Sequence, residues 1–122
     1  MYKPFVDTIS KLFSQSKFLY NKWKNIDFKK NDIIICIGCH FTNKDLKKLK
    51  NKKVYIIFYW TEPCVVHKAV AQYCDEIYLY SKFLFTLQQK HFDQQKIKFV
   101  PVLKEDTTSF VNYLNKTLNC FF

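Results

Sequence analysis

The stretch Val54–Pro63, VYIIFYWTEP, decides the fold. It is an apolar run of β-branched and aromatic residues, preceded by Lys52-Lys53 and broken off by Thr-Glu-Pro. Such a run reads as a strand buried on both faces, over 53–60. Its polar exit matters as much, because ligands of open α/β sheets sit just beyond the carboxyl ends of the strands.

Working outward, Asp32–Gly38 (DIIICIG) reads as a first strand and Asn43–Lys50 as a short polar helix anchored by Leu46 and Leu49. Pro63 starts a helix over 64–73 that buries Val66, Ala69, Val70 and Tyr73. Asp75–Tyr80 (DEIYLY) alternates and predicts a strand with one wetter face. Ser81 caps a helix running to about Phe92, and Ile97–Val102 (IKFVPV) is a last strand with Pro101 at its end. Asp106, Thr107 and Thr108 offer caps to a C-terminal helix within 105–122 that carries Phe110, Val111, Tyr113, Leu114 and Leu118. At the other terminus, Phe5, Val6, Ile9, Leu12, Phe13, Leu19, Tyr20 and Trp23 recur at helical spacing over 3–24. That amphipathic helix, in the N-terminal segment 1–25, either covers the sheet or touches an anionic membrane surface peripherally.

Strand–helix alternation with short links predicts βαβ units and right-handed crossovers. The expected fold is therefore α/β: a single Rossmann-like domain over 1–122, three layers deep, with a four-stranded parallel sheet and helices on both faces. The first strand is the most apolar, which would place it inside, as in the order 2-1-3-4.

With 122 residues the chain is long enough for one core. Gly38 is the only glycine. That excludes a G-x-G-x-x-G turn, a P-loop and any glycine-rich phosphate cradle. The net charge is +10, and all twenty cations are Lys, with no Arg. Lys lacks the bidentate fork that reads phosphate and guanine, which counts against sequence-specific nucleic-acid binding. The commoner origin of such a charge is compositional bias toward Lys and Asn, with an anionic substrate or surface as the alternative. Five cysteines, an odd number, with no signal-peptide pattern before them, suit reduced thiols in the cytoplasm. No apolar run is long enough to cross a bilayer.

The loops after the four strands converge at one edge. They bring Cys39, His40 and Phe41, then Trp60, Thr61 and Glu62, then Ser81, then Leu103 and Lys104. Glu62 is the candidate acid, base or sugar-hydroxyl acceptor, and His40 could form an acid–base pair with it. Trp60 would be an apolar or stacking wall, with Thr61, Ser81 and Lys104 as further ligand contacts. Ser81 starts a helix whose N–H groups could face an anion. The bland alternatives are a solvated Glu62 and a Ser81 that only caps its helix. Cys36-Ile-Gly-Cys39-His40 matches the haem-attachment string C-x-x-C-H, yet Cys36 lies inside a strand and points away from Cys39. No cofactor is expected. The alternative is zinc held by Cys39, His40, Cys64 and His67, the last two sharing a helix face at i, i+3. Inert buried thiols are the commoner outcome.

The order of pieces is similar to a known family. An apolar strand is followed by one ending in aromatic-x-Glu-Pro, then by a Cys-Asp-Glu-Ile-Tyr-Leu-Tyr-Ser strand and a Lys-Phe-Val-Pro-Val strand, over about residues 32–103. This resembles the second half of the N-terminal Rossmann-like domain of GT-B-type glycosyltransferases. Small glycosyltransferase-like proteins of large DNA viruses look especially similar. Asp75, Ile77, Tyr80 and Ser81 match the family's D-x-I-x-x-(Y)-S pattern, and Phe99, Val100 and Pro101 its (F)-V-P strand. The resemblance implies strand order 1-2-3-4 and a nucleotide-sugar or glycan ligand at the Glu62 edge, in the host cytoplasm if the source is viral. The family's second domain, with a glycine-bearing loop and an acidic residue for the nucleotide-sugar, has no counterpart here. The implied molecule is a stand-alone or truncated acceptor-side domain whose missing half another chain or an oligomer would supply. Reading the residues alone leaves a second class open: a non-catalytic binding module for a protein or nucleic-acid partner.

Overall fold

A computed structural model describes residues 25–37, 41–60, 64–92, 96–101 and 108–121. The helix expected over 3–24, with its membrane contact, lies outside the described residues. Contacts divide the chain into two compact units, residues 28–100 and residues 1–27 with 101–122.

The first of these units is α/β and runs β1 (Ile33–Ile37), α1 (Asn43–Asn51), β2 (Tyr55–Trp60), α2 (Lys68–Ala71), β3 (Glu76–Leu79), α3 (Lys82–Gln88) and β4 (Ile97–Phe99). Its four strands form one all-parallel sheet in the order β1-β2-β3-β4. The order 2-1-3-4 read from apolarity is thus corrected. β1 is an edge strand, and all of it except Cys36 is only half-buried, whereas β2 is buried from Ile56 to Trp60. The reason is bulk. Four aromatic residues and two isoleucines in β2 present more surface to enclose than the isoleucines of β1, and burial scales with that area.

Register assigns the faces. Cys36, Phe58, Ile77 and Ile97 form one row across all four strands, and every one of them is buried. On the opposite face the row is Ile37, Tyr59, Tyr78 and Lys98. Right-handed crossovers through strands in this order carry successive connecting helices to the same side. Ring contacts agree: Phe85 of α3 lies 6.1 Å from Phe99, and Phe41, just before α1, meets Phe58 edge-on at 5.8 Å.

α1 shows why so polar a segment becomes a helix. Thr42 Oγ1 accepts from Asp45 N at 3.1 Å while Asp45 Oδ2 accepts from Thr42 N at 3.2 Å, a complete capping box. Lys48 and Lys50 complement the dipole in the last turn. Leu46 and Leu49 are buried, each stabilising by about 2 kcal/mol.

Two further expectations are corrected. β3 has no wet face, because Glu76 and Tyr78 are as buried as Ile77 and Leu79. The Tyr55 hydroxyl donates to Glu76 Oε2 at 2.9 Å, so the carboxylate is satisfied inside. The helix expected over 64–73 shrinks to Lys68–Ala71. Val66 N donates to Gln88 Oε1 and Gln88 Nε2 donates to Val66 O, both at 3.2 Å, so a buried side-chain amide takes the bonds a helical turn would have made. α3 likewise ends at Gln88, where His91 N closes a turn onto the Gln88 carbonyl at 2.9 Å.

In the other unit the described helix is α4 (Thr108–Phe121). It is amphipathic: Leu114 and Thr117 are buried, while Asn112, Asn115, Lys116 and Asn119 are exposed. The expected caps Asp106 and Thr107 lie outside the described residues. No helix among the described residues is long and apolar enough to cross a membrane.

Candidate functional site

The carboxyl edge of the sheet is set by register. Trp60 of β2 aligns with Leu79 of β3, and Leu79 with Phe99 of β4, so three tips end level. Val100 N donates to Leu79 O at 2.8 Å and carries the β4 pairing past its last strand residue. At this edge the scaffold is aromatic. Phe58 touches both Phe41 and Trp60, the latter with ring centroids 5.5 Å apart.

Trp60 is 5% exposed, and its Nε1 donates to the Cys64 carbonyl at 2.7 Å. That bond links Trp60 to Cys64 across residues 61–63, so the indole is buried with its polar group engaged. The exposed rings beside the strand tips are Tyr80, directly after β3, and Phe83 in the first turn of α3. Reading Trp60 as the stacking wall passed over them. Tyr80 was read in sequence as a strand residue and part of the family pattern, and its exposure depends on where the strand stops.

Ser81 is the N-cap of α3, and its Oγ accepts from Leu84 N at 3.2 Å. The hydroxyl is therefore engaged in capping. Thr61, Glu62, His40, Cys39 and Lys104 lie outside the described residues. The structure brings Trp60 and Ser81 to one edge.

Cys64 and His67 are both exposed, and they precede α2 rather than sharing a turn of it, which corrects the helical i, i+3 pair. Among the described residues no group of three or more His, Cys, Asp or Glu is arranged to hold a metal ion. Cys36 is a free thiol fully buried in β1, the strand position that counted against the haem-attachment string, and burial pushes its acidity well down. Cys74, also free and buried, has its pKa pushed up to about 12, chiefly by burial.

The polar groups that sequence reasoning missed lie at the amino edge. Lys50 Nζ pairs with Asp75 Oδ2, and the same oxygen accepts from Ile56 N at 2.8 Å. Burial, followed by the bond to Glu76, holds the Tyr55 hydroxyl protonated well above its ordinary range. All of this chemistry is consumed in holding β2, β3 and α1 together.

Compared with known proteins, the chain matches no family model, no curated protein and no solved structure.

Proposed function

We propose that the chain is a glycosyltransferase-like Rossmann domain, incomplete as an enzyme, that binds a nucleotide-sugar or a glycan acceptor at the carboxyl edge of its sheet. The observation that supports this reading is the strand order β1-β2-β3-β4, which the family resemblance implies and strand apolarity argued against. The three-layer arrangement belongs to the same proposal, supported by the burial of β2 and β3 on both of their faces.

In this reading Glu62 accepts hydrogen bonds from a ribose or sugar hydroxyl, on a loop whose ends the Trp60–Cys64 bond holds together. His40 serves as its acid–base partner, and Tyr80 offers an exposed ring for a base or sugar face. Transfer itself needs a second, glycine-bearing domain, so the chain holds its ligand in the cytoplasm until a partner completes the site.

Thermal unfolding with a panel of nucleotide-sugars, free nucleotides and oligonucleotides tests it, since a ligand that binds only the native state raises the melting point. The expected outcome is stabilisation by at least one nucleotide-sugar, lost in Glu62→Ala without a change in the ligand-free melting point. No shift with any nucleotide-sugar, or a shift that survives Glu62→Ala, sinks the proposal.

A further inference from the structure

The lysines of α1 are gathered on one stripe. Leu46 and Leu49 are buried, and the opposite side of the helix carries Lys44, Lys47, Lys48 and Asn51, all exposed. Past the helix end the chain continues into Lys52 and Lys53. The Lys53 carbonyl accepts from Asn31 N at 3.0 Å, which sets the Lys29-Lys30 turn against this end of α1. Asn31 and Lys53 both hold left-handed φ, at 71° and 61°, so the two turns meet in a fixed geometry.

Three carboxylates of this region are held by local partners, and with exposed Asp27 they leave the lysines in excess. Asp32 Oδ2 accepts from Lys29 N at 2.8 Å, Asp45 closes the capping box, and Asp75 takes Lys50. The exposed lysines here include Lys29, Lys30, Lys44, Lys47, Lys48 and Lys53, along one side of α1 and the turns that meet at its end.

We propose that this strip binds the phosphate backbone of duplex nucleic acid, without reading its sequence. The partner follows from what the strip contains and lacks. The apolar side chains of α1, Leu46 and Leu49, are buried, and beside the Lys29-Lys30 turn Phe28 is half-buried and Ile26 exposed, a small apolar area with which to anchor in a lipid interface. The strip has no Arg and no aromatic residue, the usual anchors of a protein interface. For the same reason it offers no platform on which unpaired bases could stack. Point charges on flexible stems suit phosphates, and the lack of Arg forks leaves base edges unread. None of these lysines belongs to the proposed nucleotide-sugar site, and the inference stands whether or not a nucleotide-sugar binds.

Fluorescence anisotropy of the full chain with a labelled duplex of about 20 base pairs, titrated over roughly 50–200 mM salt, reads the counterion release. The expected slope of log affinity against log salt is about −3 to −5. Lys44→Gln/Lys47→Gln/Lys48→Gln reduces that slope by about 2 to 3 and weakens low-salt binding at least tenfold or so. The control, Lys68→Gln/Lys82→Gln/Lys90→Gln, removes the same charge from exposed positions elsewhere and leaves the slope unchanged. Equal losses in both triple variants mean that net charge alone acts, and overturn the proposal. So does an absence of duplex binding, tighter binding to a single strand than to the duplex, or binding to phosphatidylserine vesicles in place of the duplex.

Discussion

The two edges of the sheet are built from different materials. At the amino edge polar groups hold the strands: Asp75 takes both Lys50 and the Ile56 N–H, Tyr55 bonds to Glu76, and Asn31 reaches the Lys53 carbonyl. At the carboxyl edge rings do so, with Phe41, Phe58 and Trp60 in contact and one indole N–H closing the loop that follows. A polar group that holds a fold together is committed to its partner. An edge framed by rings can carry polar loop residues that the fold does not require. That contrast is the physical reason for seeking ligand chemistry at the carboxyl edge, and it can be broken by mutation.

The largest effect is expected where the carboxyl edge is apolar. Phe58→Ala removes the ring that touches Phe41 and Trp60 and should destabilise by about 3–5 kcal/mol in urea denaturation. Its counterpart, Asp75→Ala, strands the Ile56 N–H and unpairs Lys50. Because that pair is partly exposed, the loss should be smaller, about 2 kcal/mol. If Asp75→Ala proves neutral, the amino edge is not held as described and the contrast fails.

Alkaline pH sharpens the same comparison. Cys74, at the start of β3, keeps its proton in the fold up to about pH 12, whereas an unfolded thiol releases it near 9.0. The native state then binds more protons than the unfolded chain. Stability is therefore intact below pH 9 and falls as pH rises toward 12, by up to about 1.4 kcal/mol per pH unit for this one group. Cys74→Ala should flatten that decline between pH 9 and 11 while leaving the curve below pH 8 parallel to that of the parent. An unchanged alkaline slope would mean the thiol is not enclosed.

How far the sequence could be read follows from the range of each determinant. β2 and α1 were legible because a buried run and a pair of apolar anchors three residues apart are local. The parallel sheet followed from strand–helix alternation. Strand order was misread from apolarity, since the isoleucines of β1 do not record what encloses them, and the observed order was implied only by the family resemblance. The early end of α2 depends on Gln88, 22 residues away from Val66, and no local pattern announces such a partner. Left-handed Asn31 is a residue type that favours that region, but Lys53 is not, and only the hydrogen bond between them explains the pair. Of the site, the meeting of Trp60 and Ser81 was foreseeable from strand ends. The state of the Trp60 ring was not, because its partner is the main-chain carbonyl of Cys64, and no side-chain pattern announces a carbonyl partner.

The smallest effect expected is at Ser81, and it separates scaffold from ligand contact. Its Oγ accepts the Leu84 N–H, so Ser81→Ala should cost about 1 kcal/mol and Ser81→Gly only a few tenths. If capping is its whole role, both variants keep any nucleotide-sugar shift in full, scaled only by the lowered stability. If the hydroxyl also meets the ligand, Ser81→Gly loses the ligand shift while its ligand-free melting point hardly moves. That outcome would place Ser81 with the carboxyl-edge loops in function, although its hydrogen bond belongs to the frame.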